Sequence, residues 1–402
     1  MVTSKPQPMR VVQTVFGVFH HFELAHQLEQ RRLLHKVYST WSWTRLKREG
    51  IAREKVETYP WLHMAEYGAH AYLPVGKHWV TDHLGYANAL AFDRWTERRL
   101  AKELRRGVRV DALIALAGSS LSTGAMLQRE GCVYICDRGS THQRYQERLV
   151  REEYERWGLR YSLSDERDSA REDAIYEQAD AITVPSSAAL RSFLEMGVPA
   201  EKMHRIPYGV RLEKFKPTAE PPPDEFCVLF AGYAGLRKGV PYLLEAFAAL
   251  QHPRKVLRIA GDIQDDLRGL MGRMPMDRVE MLGSLAQAEM ASLMSRSHVL
   301  VLPSIEDGFG LVMSEAMACG CPVISSVNTG GEDLFTDGVE GFIVPIRDVN
   351  ALRDKMQELA DDPERQKQMR EAALERVRLL GGWSDYGDRW QALLERLVPR
   401  KD

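Results

Sequence analysis

"HVLVLPSIEDGFGLVMSEAMACGCPVISS", residues 298–326, reads as a strand, a glycine-punctuated turn, a helix and a second strand. The opening run is apolar without alternation, the pattern of a strand buried on both faces of a parallel sheet. Gly308 and Gly310 mark the turn, an apolar helix is expected over 310–319, and Cys-Pro opens the next strand at 321–326. Working outward, the same alternation recurs along the whole chain. Strands are expected at 10–16, 34–39, 111–118, 132–137 and 180–185, then at 226–232, 256–262, 278–283, 298–303, 321–326 and 341–345, with helical stretches between them. Between the two sets lies "IPYGVRLEKFKPTAEPPPDEF", residues 206–226, where proline density rises and periodicity vanishes, as in a linker. Two doubly wound parallel sheets joined by a flexible segment are expected to face one another across a cleft at their carboxyl ends.

Composition narrows the function classes. A chain of 402 residues has room for two or three domains. Its net charge of -2 offers no bulk attraction to nucleic acid, so a nucleic-acid partner is not expected. The five cysteines, Cys132, Cys136, Cys227, Cys319 and Cys321, form no metal or disulfide framework and read as reduced core thiols of a cytoplasmic protein. The N-terminal apolar run is broken by Gln13 and ends at His20 and His21, which makes it a first strand rather than a leader. No GxGxxG follows a strand and no GxxxxGK[ST] occurs, against a dinucleotide oxidoreductase and an ATPase.

Two turns carry the chemistry. In "IEDGFGLVMSE" (305–315), glycines and unpaired helical N–H groups at 308–311 suit an anion such as a diphosphate. Glu315 can accept two ribose hydroxyls and Asp307 the hydroxyls of a sugar; equally, Glu306 and Asp307 can cap the helix while Glu315 lies on a wet face. In "FAGYAGLRKGVPYLLEAFAAL" (230–250), Arg237 and Lys238 precede a helix whose dipole they oppose. Either an anion sits between them and the backbone, or they are solvated turn residues.

Taken together these segments resemble the retaining glycosyltransferases of family 4. "IPYGVRLEKFKP" is similar to the family's Ile-Pro-Asn-Gly-Val-Asp segment, "GYAGLRKG" to its donor-phosphate turn, "DGFGLVMSEAMACGCPVI" to its paired-acid motif and "NTGGEDLFTDGVEGFIVP" to the segment that follows. The resemblance implies an α/β chain of GT-B architecture, two Rossmann-like doubly wound parallel-sheet domains facing a cleft. Residues 1–207 would form the acceptor-binding domain, 208–382 the donor-binding domain, and a C-terminal helix at 383–402 would cross back onto the first. It implies hexosyl transfer from a nucleotide-diphospho-sugar to a hydroxyl acceptor, without metal or cofactor. A nucleotide-sugar epimerase and a non-catalytic nucleotide-sugar-binding subunit are the rival readings.

The resemblance also assigns roles. Lys238 would neutralise the leaving diphosphate, with Arg237 supplying charge where the family often has an arginine and this chain has Tyr233. Asp307, where the family usually has glutamate, would contact the donor sugar, shared with Glu306. Glu315 would bind ribose, while Gly235, Gly308, Phe309, Gly310 and Leu311 would cradle the donor. Gly17 stands in the loop expected to face the phosphates, and Gly283 and Ser284 near the nucleobase. His142 would approach the reacting sugar, with Asp137 as the alternative. No residue is singled out as a base, and the departing phosphate is available for the acceptor proton. The histidines and aromatic residues of 61–86 (Trp61, His63, His70, Tyr72, His78, Trp79, His83) suggest an acceptor loop. The basic stretches 31–50 and 94–109 are either a solvated face or a peripheral contact with an anionic membrane.

Overall fold

The computed structural model describes residues 9–72, 78–161 and 165–399; within these, the side chains of 69–72 and 78–79 fall outside the description. Seven parallel strands form the first sheet: β1 (Val11–Val15), β2 (Leu34–Ser39), β3 (Val56–Thr58), β4 (Ala112–Leu116), β5 (Val133–Asp137), β6 (Ala181–Val184) and β7 (Met203–Arg205), in the order β3-β2-β1-β4-β5-β6-β7. Six form the second: β8 (Phe226–Ala231), β9 (Lys255–Ala260), β10 (Val279–Gly283), β11 (Val299–Leu302), β12 (Val323–Ser326) and β13 (Gly341–Val344), in the order β10-β9-β8-β11-β12-β13. The eleven strands expected from the sequence are all present. β3 and β7, of three residues each at the two edges of the first sheet, were not expected.

The sequence explains why these sheets are sandwiched. Every residue of β8 and β11 is buried, so both faces need helical cover, and the helices between strands supply it. In each sheet the chain leaves the first strand in one direction and returns to its other side with the fourth. The paired neighbours β1/β4 and β8/β11 are therefore the switch points, where the flanking loops diverge and leave a crevice.

The lobes are joined twice. Residues 206–225 run as irregular chain, and the return crossing pairs with it through a parallel bridge between Val210 and Gly382. Gly209 permits this approach, because a Cβ there would stand 2.5 Å from the Gly382 carbonyl carbon and the Trp383 nitrogen. The helix Trp383–Leu397 then packs on the first lobe, with Tyr386, Trp390, Leu393 and Leu394 in one cluster with Val11, Phe22 and Ile114. The five cysteines are buried and form no disulfide among the described residues. No helix among the described residues is long and apolar enough to cross a membrane.

Trp390 is fully buried at this return contact. Trp390→Ala should lower the unfolding free energy by about 3–5 kcal/mol, read from a chemical denaturation midpoint.

Candidate functional site

The loops after β8 and β11 meet at the second lobe's switch point, tied by a hydrogen bond from the Ile305 N–H to the Arg237 carbonyl (2.9 Å). Gly239, at φ 67°, turns the first loop into the helix Val240–Ala249; a Cβ there would collide with the Pro303 carbonyl of the second loop. Gly310, at φ 78°, opens the helix Leu311–Ala318, and its missing Cβ leaves room for Leu302. The two turns thus lie against each other and present their side chains to a common space.

That space is a cavity of about 890 Å³ between the lobes. From the second lobe Arg237, Lys238, Asp307 and Glu315 line it, together with the 308–311 turn. From the first lobe and the crossing come Phe19, His20, Arg138, Gly139, Ser140 and Tyr208. Lys238 is ion-paired with Asp307, and both side chains are about 15% exposed. Burial drives the Asp307 carboxyl upward, but Lys238 and Arg237 overcome it and hold it below its usual range. Among the described residues Glu315 has no such ion-pair partner; burial pushes it up to about 7, with Arg211 only partly opposing.

Several sequence-based expectations are corrected here. Glu306 does not line the cavity: it is fully buried, accepting from Ser140 Oγ (2.9 Å), Thr141 Oγ1 (2.7 Å) and Arg237 Nη1 (2.8 Å), and so ties the lobes together. Gly308 lines the cavity and also serves this contact, since a Cβ would strike the Gly139–Ser140 backbone, and its carbonyl accepts from Ser186 Oγ (2.6 Å). Gly235 is buried against Gln264 and Asp266, leaving Gly232 and Tyr233 as the cavity wall. Gly17 is buried at φ 74°, its N–H donating to Thr40 Oγ1, and it directs Phe19 and His20 into the cleft without lining it. Gly283 and Ser284 lie outside the wall, at the end of β10, with Ser284 Oγ donating to Asp262 (3.0 Å).

His142 also lies elsewhere. It caps the helix Gln143–Arg156, its Nδ1 accepting from the Arg144 N–H, and lines a separate pocket with Asp173 and Tyr176. Burial pushes its imidazole down to about 4 against the opposing pull of Asp173. The histidine at the cleft is His20, whose Nε2 lies 2.6 Å from Asp137 Oδ2; His21 Nε2 lies 3.2 Å from the same oxygen. These three residues could in principle ligate a metal. The 2.6 Å separation is a hydrogen-bond length. His20, Tyr208 and Arg211 were not expected from the sequence; the only signals were the His-His pair after a first strand and a tyrosine replacing asparagine ahead of the second lobe. Of the aromatic segment, Trp61 is exposed and His63 packs edge-on to Trp41, whereas the side chains of His70, Tyr72, His78 and Trp79 lie outside the described residues.

Comparison with known proteins agrees with this layout. The family described as Glycosyltransferase Family 4 matches residues 20–214, and Glycosyl transferases group 1 matches residues 212–376. D-inositol 3-phosphate glycosyltransferase 1 of Catenulispora acidiphila is 28% identical over 252 residues, 57% of this chain and 60% of that protein. Alpha-D-kanosaminyltransferase of Streptomyces kanamyceticus is 31% identical over 192 residues, 44% and 50% of the two chains. The chain thus spans about half the length of the curated relatives it matches. Among solved structures, sucrose-phosphate synthase of Thermosynechococcus elongatus superposes with a TM-score of 0.69 at 21% identity, covering 97% of this chain and 99% of that one. HepE of Anabaena, solved with UDP-glucose, gives 0.64 at 17% identity, covering 97% and 100%. These likenesses identify the fold as GT-B.

The environment of Glu315 has a stability signature. With its carboxyl raised in the folded state, the protonated form is favoured; the cost of ionising it is absent below the unfolded value near 4.5 and grows as pH rises to about 7. Glu315→Gln should therefore raise the melting temperature at pH 8, by up to about 3 kcal/mol of stability, and leave it nearly unchanged at pH 4. Calorimetric scans of both proteins at the two pH values check this.

Proposed function

Because the chain belongs to the glycosyltransferases of family 4 and group 1, matched over both lobes, we propose that it moves a hexosyl group from a nucleotide-diphospho-sugar to a hydroxyl acceptor, with retention at the anomeric carbon. The observation that carries this reading is the convergence of Lys238, Arg237, Asp307 and Glu315 on one interlobe cavity. Both relatives described above are glycosyltransferases by name, and the HepE structure holds a nucleotide sugar.

On this reading the diphosphate lies between Lys238, Arg237 and the N-terminus of the helix Leu311–Ala318. Fixed positive charge there meets the charge that develops on the leaving oxygen. Two cations and a helix dipole supply what a divalent ion would otherwise bring, so the reaction is proposed to need no metal. Asp307 accepts from hydroxyls of the transferred sugar, and Glu315 from the ribose diol. The cavity, closed by Glu306 and Gly308 against the first lobe, limits water and hence donor hydrolysis.

The acceptor enters from the first lobe. Peripheral contact with an anionic membrane at the cytoplasmic face belongs to the same reading. Trp61 is 77% exposed, Met64 shares its helix and is also exposed, and Arg45, Lys47 and Arg48 are exposed on the short helical turns Trp43–Leu46 and Lys47–Glu49.

A thermal-shift screen against UDP-, GDP- and ADP-sugars, followed by assay of nucleoside diphosphate release, tests the proposal; protein that no diphosphosugar stabilises would refute it. Lys238→Ala should cut turnover by ~10²-fold or more in steady-state kinetics. Glu315→Ala should weaken binding of the ribonucleoside diphosphate and leave that of its 2′-deoxy analogue much less affected, as titration calorimetry of both ligands will read.

A further inference from the structure

The turn 232–239, which carries Arg237 and Lys238, is braced on its outer side by the chain that follows β9. The Ala234 N–H donates to the Asp262 carbonyl (2.9 Å), the Gln264 N–H to the Ala234 carbonyl (2.8 Å) and the Leu236 N–H to Asp266 Oδ2 (3.2 Å). Glycine at 235 allows this approach, since a Cβ there would stand 3.0 Å from Asp266 Oδ1 and 3.1 Å from Gln264 Cβ. Leu236 directly precedes the two cations, so Asp266 holds the backbone from which they project.

Asp266 has a second donor, and it comes from the other lobe. The Tyr154 hydroxyl, on the last turn of the helix Gln143–Arg156, donates to the same Oδ2 (2.8 Å). Burial, and after it the Asp266 charge, push the Tyr154 phenol up, so it is a neutral donor at ordinary pH. The helix precedes β6 of the first sheet yet is seated on the second lobe. Leu149 is buried in the second lobe's core, and Trp157 packs edge-on to Tyr242 of the helix Val240–Ala249 at 5.8 Å. The approach to the same helix supplies Ser140 and Thr141, which hold Glu306, and Glu306 holds Arg237. The first lobe thus grips the turn from both flanks, each time through an acid: Glu306 takes a side chain, Asp266 the backbone.

We propose that Tyr154 and Asp266 are positioning residues for the diphosphate: the Tyr154 hydrogen bond fixes Asp266, and Asp266 fixes the Leu236 N–H and with it the two cations that follow. The inference rests on the glycosyl-transfer reading above. A carboxylate with a single donor is free to turn, whereas two donors converging on one oxygen define its place. Without the Tyr154 hydroxyl, Asp266 turns to water, its hold on Leu236 slackens, and Arg237 and Lys238 lose their fixed positions. On the same reading the ribose meets Glu315, on a different turn, so the loss falls on the phosphates.

The competing account is that Tyr154 and Asp266 only add to the contact between the lobes. Tyr154→Phe separates the two: the ring keeps its edge contact with Tyr161 (5.2 Å), Leu149 and Trp157 keep the helix seated, and the hydroxyl alone is lost. Wild-type protein is titrated calorimetrically with UDP, GDP and ADP. The base that binds is then used, as nucleoside monophosphate and as diphosphate, on every variant. The ratio of the two affinities reports the hold on the second phosphate, and a general loss of folded protein does not move it. In Tyr154→Phe the preference for diphosphate should fall by roughly threefold or more, the scale of one hydrogen bond to a charged group, with monophosphate affinity within about twofold of wild type. Asp266→Ala should fall at least as far, and the double variant no further than Asp266→Ala, since Tyr154 acts through Asp266. Asp266→Ala also serves if Tyr154→Phe fails to fold.

A smaller fall in that preference, or an equal loss of both nucleotides, overturns the positioning role and leaves glycosyl transfer standing. Wild-type protein that binds none of the three diphosphates overturns the transfer reading and the positioning role with it.

Discussion

Two neighbouring ion pairs hold the second lobe's switch point together, and much of the structure follows from them. Arg237 and Lys238 sit where the dipole of the helix Val240–Ala249 is least hospitable to cations. The loop after β11 answers with Glu306 and Asp307, each taking one of them. The pairs are not equivalent. Glu306 is sealed from solvent, so removing Arg237 would leave a buried charge with only hydroxyl and amide donors, a change that costs several kcal/mol. Lys238 and Asp307 face the cavity and can exchange partners when something enters it.

The same arrangement explains how closely the lobes approach. Ser140 and Thr141 reach Glu306 only because Gly308 lets the two backbones touch, and Ser186 completes the contact on the Gly308 carbonyl. At the far side of the cleft, Gly209 lets the outgoing crossing lie on the returning chain at Gly382 and Trp383. Small residues at both ends set the width of the cavity, and the polar groups between them set its chemistry. Further pairs tie the lobes outside the cavity: Arg205 and Ser187 with Asp333, and Arg347 with Glu153.

The sheets were legible because their central strands are long, apolar and flanked by turn residues, a signal independent of tertiary context. β3 and β7 escaped for the opposite reason: each has three residues, and sequences such as Val-Glu-Thr and Met-His-Arg acquire strand geometry only from the edge they join. The paired acids were readable as a motif, but which acid faces the cavity was not. Adjacent loop residues point in different directions, and two of the partners that claim Glu306, Ser140 and Thr141, lie more than 160 positions away. The same limit applies to the histidines. His142 and His20 look alike in sequence, yet one caps a helix facing a separate pocket while the other meets Asp137 at the cleft. Tyr208 stands inside the segment quoted for the family resemblance without being singled out there, and its partner could be found only in space.

The two acids of the motif, Asp307 and Glu315, occupy one cavity in opposite electrostatic conditions. Lys238 and Arg237 keep Asp307 ionised despite its burial, whereas Glu315, with only Arg211 to counter its burial, carries a proton over a substantial part of the neutral range. On the proposed reading this division suits the donor. An incoming diphosphate draws Lys238 to itself, and Asp307, already a carboxylate, becomes free to accept from sugar hydroxyls without a change of protonation. Glu315 needs no counter-ion in the empty site, because its proton removes the charge; two ribose hydroxyls then supply the hydrogen bonds that make the ionised form affordable. A lysine opposite Glu315 would have fixed the carboxylate in advance and occupied the oxygens that the diol needs. On that reading the lack of a close cation among the described residues is part of how the site would distinguish a hydroxyl-bearing ligand from a bare anion, while the cations at 237 and 238 hold the charge.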